Sequence, residues 1–209
     1  MEATTVDDMR PSARLKGMGM AVLFLGLFGG LWMIAALNTE SLVWVLICAL
    51  LPASLLALRG LGLLHTSRRV AATEPELTAE EREQRHVMGR YFALTFIAEF
   101  GAIAIAANVL ESTNQSAWIL AAIGFIVGVH FIPLARIFKY PLYYWTGGVE
   151  IALCALIAWI MRGRLLLADP LFGLAMGLTL WLTVLVVLVQ ARWLAVRALA
   201  AEQAASEPA

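Results

Sequence analysis

The chain has 209 residues, of which 61% are hydrophobic and 14% charged, and its formal net charge is zero. Soluble globular domains are about 45–50% apolar and about 25% charged, so this composition predicts a protein embedded in lipid. The zero net charge argues against the broad basic surface of a nucleic-acid-binding protein.

Six apolar segments are long enough to cross a bilayer, since a hydrocarbon core of about 30 Å needs about 20 helical residues. They cover residues 17–38, 41–63, 89–110, 117–138, 142–161 and 170–192. Backbone groups in lipid must bond within their own segment, which favours helices. The predicted fold is all-α, a polytopic membrane protein with a six-transmembrane-helix bundle over residues 17–198. Residues 1–16 form an N-terminal segment, and residues 199–209 form a tail that is expected to be disordered.

Basic residues are distributed unequally between the two sides of this layout. Of the 15 Lys and Arg residues, all but Arg162 and Arg164 lie on the side that holds both termini and the loop 64–88. Cytoplasmic segments carry the excess of Lys and Arg in membrane proteins. Both termini and the 64–88 loop are therefore expected in the cytoplasm.

The loop contains a helix-start signal. Thr78-Ala-Glu-Glu81 has the spacing of a capping box, in which the side chains of the first and fourth residues bond to each other's backbone N–H groups. The third helix is therefore predicted to begin near residue 79 and to stand out of the membrane for two turns. This extension is either a docking or regulatory element or a solvated stub that fixes where the third span enters the membrane.

Three spans contain pairs of glycines four residues apart, a spacing that lets two helices approach closely. The pairs are Gly26 with Gly30, Gly124 with Gly128, and Gly173 with Gly177. They favour packing within the bundle, with a homo-oligomer as the alternative.

Three ionisable residues lie well inside predicted spans, namely Glu99, His130 and Glu150. Counted from the ends at which their spans enter, they lie about ten, thirteen and eight residues deep. At about 1.5 Å per residue all three fall between the midplane and the inner leaflet. Ionisable groups are costly there and usually face a bundle interior. Thr95 and Thr146 precede the two glutamates by four residues, so each pair shares a helix face.

These residues allow three interpretations. Two carboxyls that approach each other share a proton, and a nearby imidazole passes protons, which suits a proton relay or proton-coupled carrier. Two carboxylates and one imidazole also suit a divalent transition metal, although no metal-binding spacing accompanies them, so neither a metal nor another cofactor is predicted. In the third interpretation the polar groups only hold helices together.

Two further features lie near His130. Pro133 removes a backbone hydrogen bond and is expected to kink the fourth helix, which would free a carbonyl beside the imidazole. Arg136, near the cytoplasmic boundary, either snorkels to the interface or contacts an anionic solute. The Thr-x-x-x-Glu pattern at residues 95–99 and 146–150 also suggests that the third and fourth spans repeat as the fifth and sixth.

The stretch from His130 to Gly147 reads HFIPLARIFKYPLYYWTG. Its His-Phe-x-Pro-Leu-Ala segment, followed by Tyr-x-Thr-Gly, resembles a family of small uncharacterised bacterial multi-pass membrane proteins. The resemblance implies a protein of the bacterial inner membrane and no assigned activity. No enzyme signature is present. The function predicted is a small transporter or proton-linked, channel-like bundle acting on a proton or small solute, and the alternative is a structural or accessory membrane protein.

Overall fold

The protein is described by a computed structural model over residues 10–37, 41–162 and 169–206, with residues 198–206 described by their backbone alone. Six helices account for most of these residues, and no strand occurs among them. The helices are α1 (Pro11–Leu37), α2 (Leu42–Thr73), α3 (Ala79–Ser112), α4 (Ile119–Ile137), α5 (Leu142–Ile160) and α6 (Asp169–Ser206). All six contain stretches long and apolar enough to cross a membrane. The predicted all-α fold, with six helices long and apolar enough to cross a membrane, is confirmed.

Several helices extend beyond the predicted spans. Helix α2 continues to Thr73, so the predicted loop 64–88 consists mainly of helix, with only residues 74–78 between α2 and α3. Helix α3 begins at Ala79, as predicted, and the complete capping box of Thr78 and Glu81 is present. Helix α6 continues to Ser206, where a disordered tail was expected. Its last turns are rich in alanine, the residue with the highest helix propensity. Residues 207–209 lie outside the described part.

Helix α2 contains one turn of π-helix, at Leu46–Leu50, directly before Pro52. Proline has no N–H, so the carbonyl of Cys48 has no partner at the usual spacing of four residues. Single π-turns are a common way to accommodate such an interruption within a helix. The helix therefore crosses Pro52 without ending.

Short turns join α3 to α4 and α4 to α5. After α3, Asn114 has a φ of 58°, and after α4, Lys139 has a φ of 49°. In both turns the N–H of the next residue donates to the carbonyl five residues earlier, at 2.7 and 3.0 Å. This is the hydrogen bond of the Schellman motif, which ends a helix sharply. The two turns hold α3, α4 and α5 as successive neighbours.

Helix α6 lies at the centre of the bundle. Along one face it buries apolar side chains roughly one turn apart, namely Phe172, Met176, Leu180, Val184, Val187 and Ala191. Helix α1 packs along both α2 and α6, α5 packs on α6, and α4 packs on α5. The indole of Trp181 on α6 donates to the main-chain carbonyl of Gly26 on α1 at 3.1 Å. The first and last helices are thus adjacent.

The predicted glycine pairs lie at these helix contacts. A β-carbon added at any of the six would come within 3.0 Å of an atom on a neighbouring helix. Gly26 and Gly30 face α2, Gly124 and Gly128 face α5, and Gly173 and Gly177 face α1. Packing within the bundle is therefore confirmed as a role of these glycines.

Helix α3 lies at the edge of the bundle and packs mainly on α4. None of its residues is buried. A row of phenylalanines one turn apart, Phe92, Phe96 and Phe100, forms tilted ring contacts along it, with ring centroids 5.4 Å apart. Phe96 also contacts Phe24 of α1 at 6.4 Å. Helix α3 is therefore the least firmly packed of the six.

A cluster of polar contacts, which we call the N-terminal clamp, holds the start of α1 to the connection between α2 and α3. Arg10 forms a two-pronged ion pair with Glu81, with both N–O distances 2.7 Å, and also donates to the Pro75 carbonyl. The Glu74 carboxylate accepts from the Ser12 N–H at 2.9 Å and from its hydroxyl. A carboxylate at the N-terminus of α1 is favoured by the helix dipole. The clamp thus joins three helix ends on one side of the bundle.

Candidate functional site

Glu99 and His130 come together where α3 crosses α4. The Oε2 atom of Glu99 lies 3.2 Å from Nδ1 of His130, and the two side chains are 11% and 7% exposed. The contact lacks the alignment of a full hydrogen bond, because the Nδ1 atom has no well-directed partner. The predicted shared depth of these two residues on neighbouring helices therefore corresponds to an actual contact.

Aromatic rings surround the imidazole of His130. Phe96 and Phe131 pack edge-on to it, with centroid distances of 5.7 and 6.1 Å. Phe96 belongs to the phenylalanine row of α3. The four-residue spacing of that row is the sequence signal that could have indicated aromatic rings beside His130. The rings thus pack around the imidazole that contacts Glu99.

Glu150 lies on α5 with no exposed surface. Neither of its carboxyl oxygens has a hydrogen-bond partner among the described residues. Its carboxyl is within electrostatic range of that of Glu99. Glu99 of α3 and His130 of α4 are therefore in contact, and Glu150 lies on α5, which packs on α4, as a buried acceptor with no partner among the described residues. Buried polar groups without a partner are uncommon in folded proteins, so each one requires an explanation.

The two predicted threonines do not hydrogen-bond to the glutamates. Thr95 donates to the Tyr91 carbonyl at 2.8 Å, and Thr146 donates to the Leu142 carbonyl at 3.1 Å. Hydroxyls in helices often bond to the carbonyl four residues earlier, which competes with a bond toward the following turn. Thr146 instead contacts Thr183 of α6 across the interface, with 2.8 Å between the hydroxyl oxygens. The Thr146 hydroxyl thus contributes to the packing of α5 on α6.

Arg136 is exposed and lies in the last turn of α4. It is six residues beyond His130, or about 9 Å along the axis. A cation at a helix C-terminus is favoured by the helix dipole, which accounts for Arg136 without an anionic solute. Helix α4 continues across Pro133 to Ile137.

Among the residues that the structure describes, no three His, Cys, Asp or Glu side chains are placed to hold a metal ion.

No family model, no curated protein and no solved structure matches this chain.

An apolar groove, which we call the lateral groove, opens between the end of α3, the start of α4 and the end of α5. Its volume is about 540 Å³. Small side chains form much of its wall, and larger ones close its ends: Leu110, Gln115, Trp118, Ala121, Ala122, Phe125, Ile126, Cys154, Ala155 and Ala158. It lies at the opposite end of the bundle from the N-terminal clamp. Sequence analysis missed it, because its walls come from three helices and carry no distinctive residue.

Proposed function

We propose that the protein is a small proton-linked transporter in which Glu99, His130 and Glu150 carry protons within the membrane. The observation that carries this proposal is the 3.2 Å contact between Glu99 and His130, together with the buried and unpartnered carboxyl of Glu150 on the neighbouring helix α5. Ionisable groups are rare within membrane helices and mark proton relays and substrate pathways. A carboxyl and an imidazole at this separation are close enough to exchange a proton after a small rotation of the ring.

The packing of α3 supports a moving site. Glu99 is on the one helix that has no buried residue, whereas His130 and Glu150 are on α4 and α5, which pack closely through Gly128 and Gly147. A tilt of α3 would separate Glu99 from His130 without opening the glycine contacts of the core. Carriers need two arrangements of the helices that surround a site. Here α3 would move and the pair α4–α5 would stay fixed.

We further propose a setting for this activity. The excess of Lys and Arg supports cytoplasmic termini. The resemblance of residues 130–147 supports the bacterial inner membrane. Lipid is the surrounding partner, a proton or small solute is the transported species, and neither the geometry nor the charge calls for nucleic acid.

The test is proton flux in vesicles that contain the purified protein and a trapped pH-sensitive dye. An imposed membrane potential should acidify the lumen faster than in protein-free vesicles. Glu99→Gln and Glu150→Gln should abolish that difference while the proteins remain folded. Glu111→Gln is the matched control, because Glu111 is exposed near the end of α3 and is about 18 Å along the helix from Glu99. Its flux should equal that of the unmodified protein.

A structural or accessory role is the second candidate. The Thr146–Thr183 contact shows that some polar side chains of this bundle do hold helices together. In that case the unmodified protein gives no flux above protein-free vesicles. Glu99→Gln would then also unfold more easily, because it weakens the contact between Glu99 and His130 that joins α3 to α4. That combination of results would exclude the transporter.

A further inference from the structure

We infer that Arg10 is a positioning residue for the polar site, because through the N-terminal clamp it holds α3 at the angle at which Glu99 meets His130. This deepens the proposed function, on which it rests for its effect on proton flux. The effect of Arg10 on the contact itself is a matter of structure alone, and it is measured separately.

Helix α3 is held at both of its ends. At its start, the Arg10 guanidinium binds the Glu81 carboxylate with two N–O distances of 2.7 Å. At its end, the Gln115 N–H donates to the Leu110 carbonyl at 2.7 Å and closes the turn into α4. No residue of α3 is buried. Loss of the clamp would therefore leave the start of α3 held only by the connection 74–78 and by its packing on α4.

The clamp joins this start to a firmly packed helix. Arg10 directly precedes α1, which packs along both α2 and α6 and buries Leu15 completely near its start. The same guanidinium donates to the main-chain carbonyls of Pro75 and Glu76, the latter at 3.3 Å. A planar guanidinium with several directed donors fixes orientation as well as distance. Helix α1 thus acts as the support and Arg10 as the link to α3.

Glu81 and Glu99 lie on the same face of α3. They are 18 residues apart in one helix, Ala79–Ser112, which is about five full turns and about 27 Å along the axis. If α3 pivots at Leu110, Glu99 is displaced about two-fifths as far as Glu81, in proportion to their distances along the helix. A displacement of about 1 Å is enough to impair a reaction between two positioned groups. A modest shift of the helix start would therefore disturb the contact with His130.

The imidazole of His130 reports the position of α3 through two neighbours. The Glu99 carboxyl lies 3.2 Å from its Nδ1 atom, and the Phe96 ring packs edge-on to it at 5.7 Å. Phe92, one turn earlier, packs on Phe138 directly after α4 at 5.8 Å. A tilt of α3 would move the carboxyl and the Phe96 ring together, so the environment of the imidazole would change in two ways.

The measurement is the ring-nitrogen NMR spectrum of His130, recorded on the full chain in lipid nanodiscs. The chain has three histidines. His65→Gln and His86→Gln remove the other two, which are both exposed, so only the His130 imidazole is observed. Glu99→Leu in this background gives the signals of a ring without its carboxyl neighbour. Arg10→Met should move the His130 signals toward those positions.

Arg82→Met is the matched control, because it also removes one positive charge beside the start of α3. Arg82 is exposed, and its guanidinium donates to the nearby Leu77 carbonyl at 3.1 and 3.3 Å. The His130 signals of this variant should match those of the unmodified protein. Arg10→Lys keeps the charge but loses the two-pronged geometry, so its signals should lie between those of the unmodified protein and Arg10→Met. It also provides the comparison if Arg10→Met does not fold.

Proton flux in vesicles gives the second readout. Arg10→Met should reduce the flux at least about fivefold, the lower end of the usual range for coupling between separate sites. Arg82→Met should leave the flux unchanged. The unfolding midpoint of each variant, measured in the same lipid, shows whether the protein remains folded under the conditions of the assay.

Three outcomes would overturn the inference or separate it from the proposed function. A lower unfolding midpoint for Arg10→Met, with unchanged His130 signals and flux, would mean that the clamp only stabilises the fold. Faster flux in Arg10→Met would mean that the clamp restrains α3 instead of positioning it, and either result rejects the role given to Arg10 while the transporter stands. If the unmodified protein gives no flux, the transporter fails, and the His130 signals alone decide whether Arg10 positions Glu99.

Discussion

Replacing Glu150 with methionine should make the protein more stable and abolish its proton flux. The carboxyl has no exposed surface, and neither of its oxygens has a hydrogen-bond partner among the described residues. A buried polar group without a partner destabilises a fold by about 1–3 kcal/mol. Methionine has a similar length and no group that needs a partner. We therefore expect Glu150→Met to raise the free energy of unfolding by about 1–3 kcal/mol.

The assay is unfolding in mild detergent by increasing amounts of dodecyl sulfate, followed by circular dichroism. The midpoint for Glu150→Met should move to higher dodecyl sulfate. Glu111→Met is the control, because Glu111 is exposed, and its midpoint should change little, since surface substitutions usually stay within about 0.5 kcal/mol.

The sign of the change decides between the two candidate functions. If Glu150 mainly holds helices together, its loss should destabilise the bundle by about 0.6–2 kcal/mol, as for polar contacts between membrane helices. A lower unfolding midpoint for Glu150→Met would therefore refute the view of Glu150 as an unpartnered group. A stable Glu150→Met protein that still conducts protons would refute its place in the relay.

Two further predictions concern packing and pH. Gly173→Ala should lower the free energy of unfolding by about 1–3 kcal/mol, because the added β-carbon would lie 2.6 Å from the Trp32 carbonyl oxygen. Gly148→Ala is the control, because a β-carbon there would have nothing within 4 Å. In the same dodecyl sulfate titration it should be neutral or slightly stabilising. The ion pair with Arg10, followed by the bond from the Thr78 main chain, lowers the pKa of Glu81 below its usual 4.5. The clamp therefore contributes fully above pH 4.5 and weakens as the pH falls through the lower, folded-state pKa. Arg10→Met should lower the melting temperature at neutral pH and flatten its acid dependence below pH 4.5, and an unchanged acid dependence would contradict this role.

Local rules predicted the features that depend on residues close in the sequence. The six helices follow from the lengths of the apolar runs, and the start of α3 follows from the Thr78–Glu81 capping box. The similar depth of Glu99 and His130 was predicted, and a short turn makes α3 and α4 neighbours, but depth left open whether the two side chains meet. In the first two cases the membrane or the turn restricts the chain to one arrangement.

Features that join distant parts of the chain could not be predicted in this way. The Arg10–Glu81 pair spans 71 residues, and a single arginine in a basic stretch gives no sign of its partner. The Thr-x-x-x-Glu pattern suggested hydroxyls that serve the carboxyls, but Thr146 pairs with Thr183 on another helix. Tertiary packing determines which helix lies opposite a given helix face. No short segment of a single sequence indicates that partner.

The contact between α1 and α6 has a consequence for the order of assembly. Of the six helices, α1 is synthesised first, yet the glycine-lined face of α6 that covers Gly29 and Met33 is synthesised last. Until then the matching face of α1 has no α6 to pack on. The bundle therefore closes only after α6 has been translated. A ribosome stalled before Asp169 would leave five helices that lack the packing of α6 and are sensitive to protease.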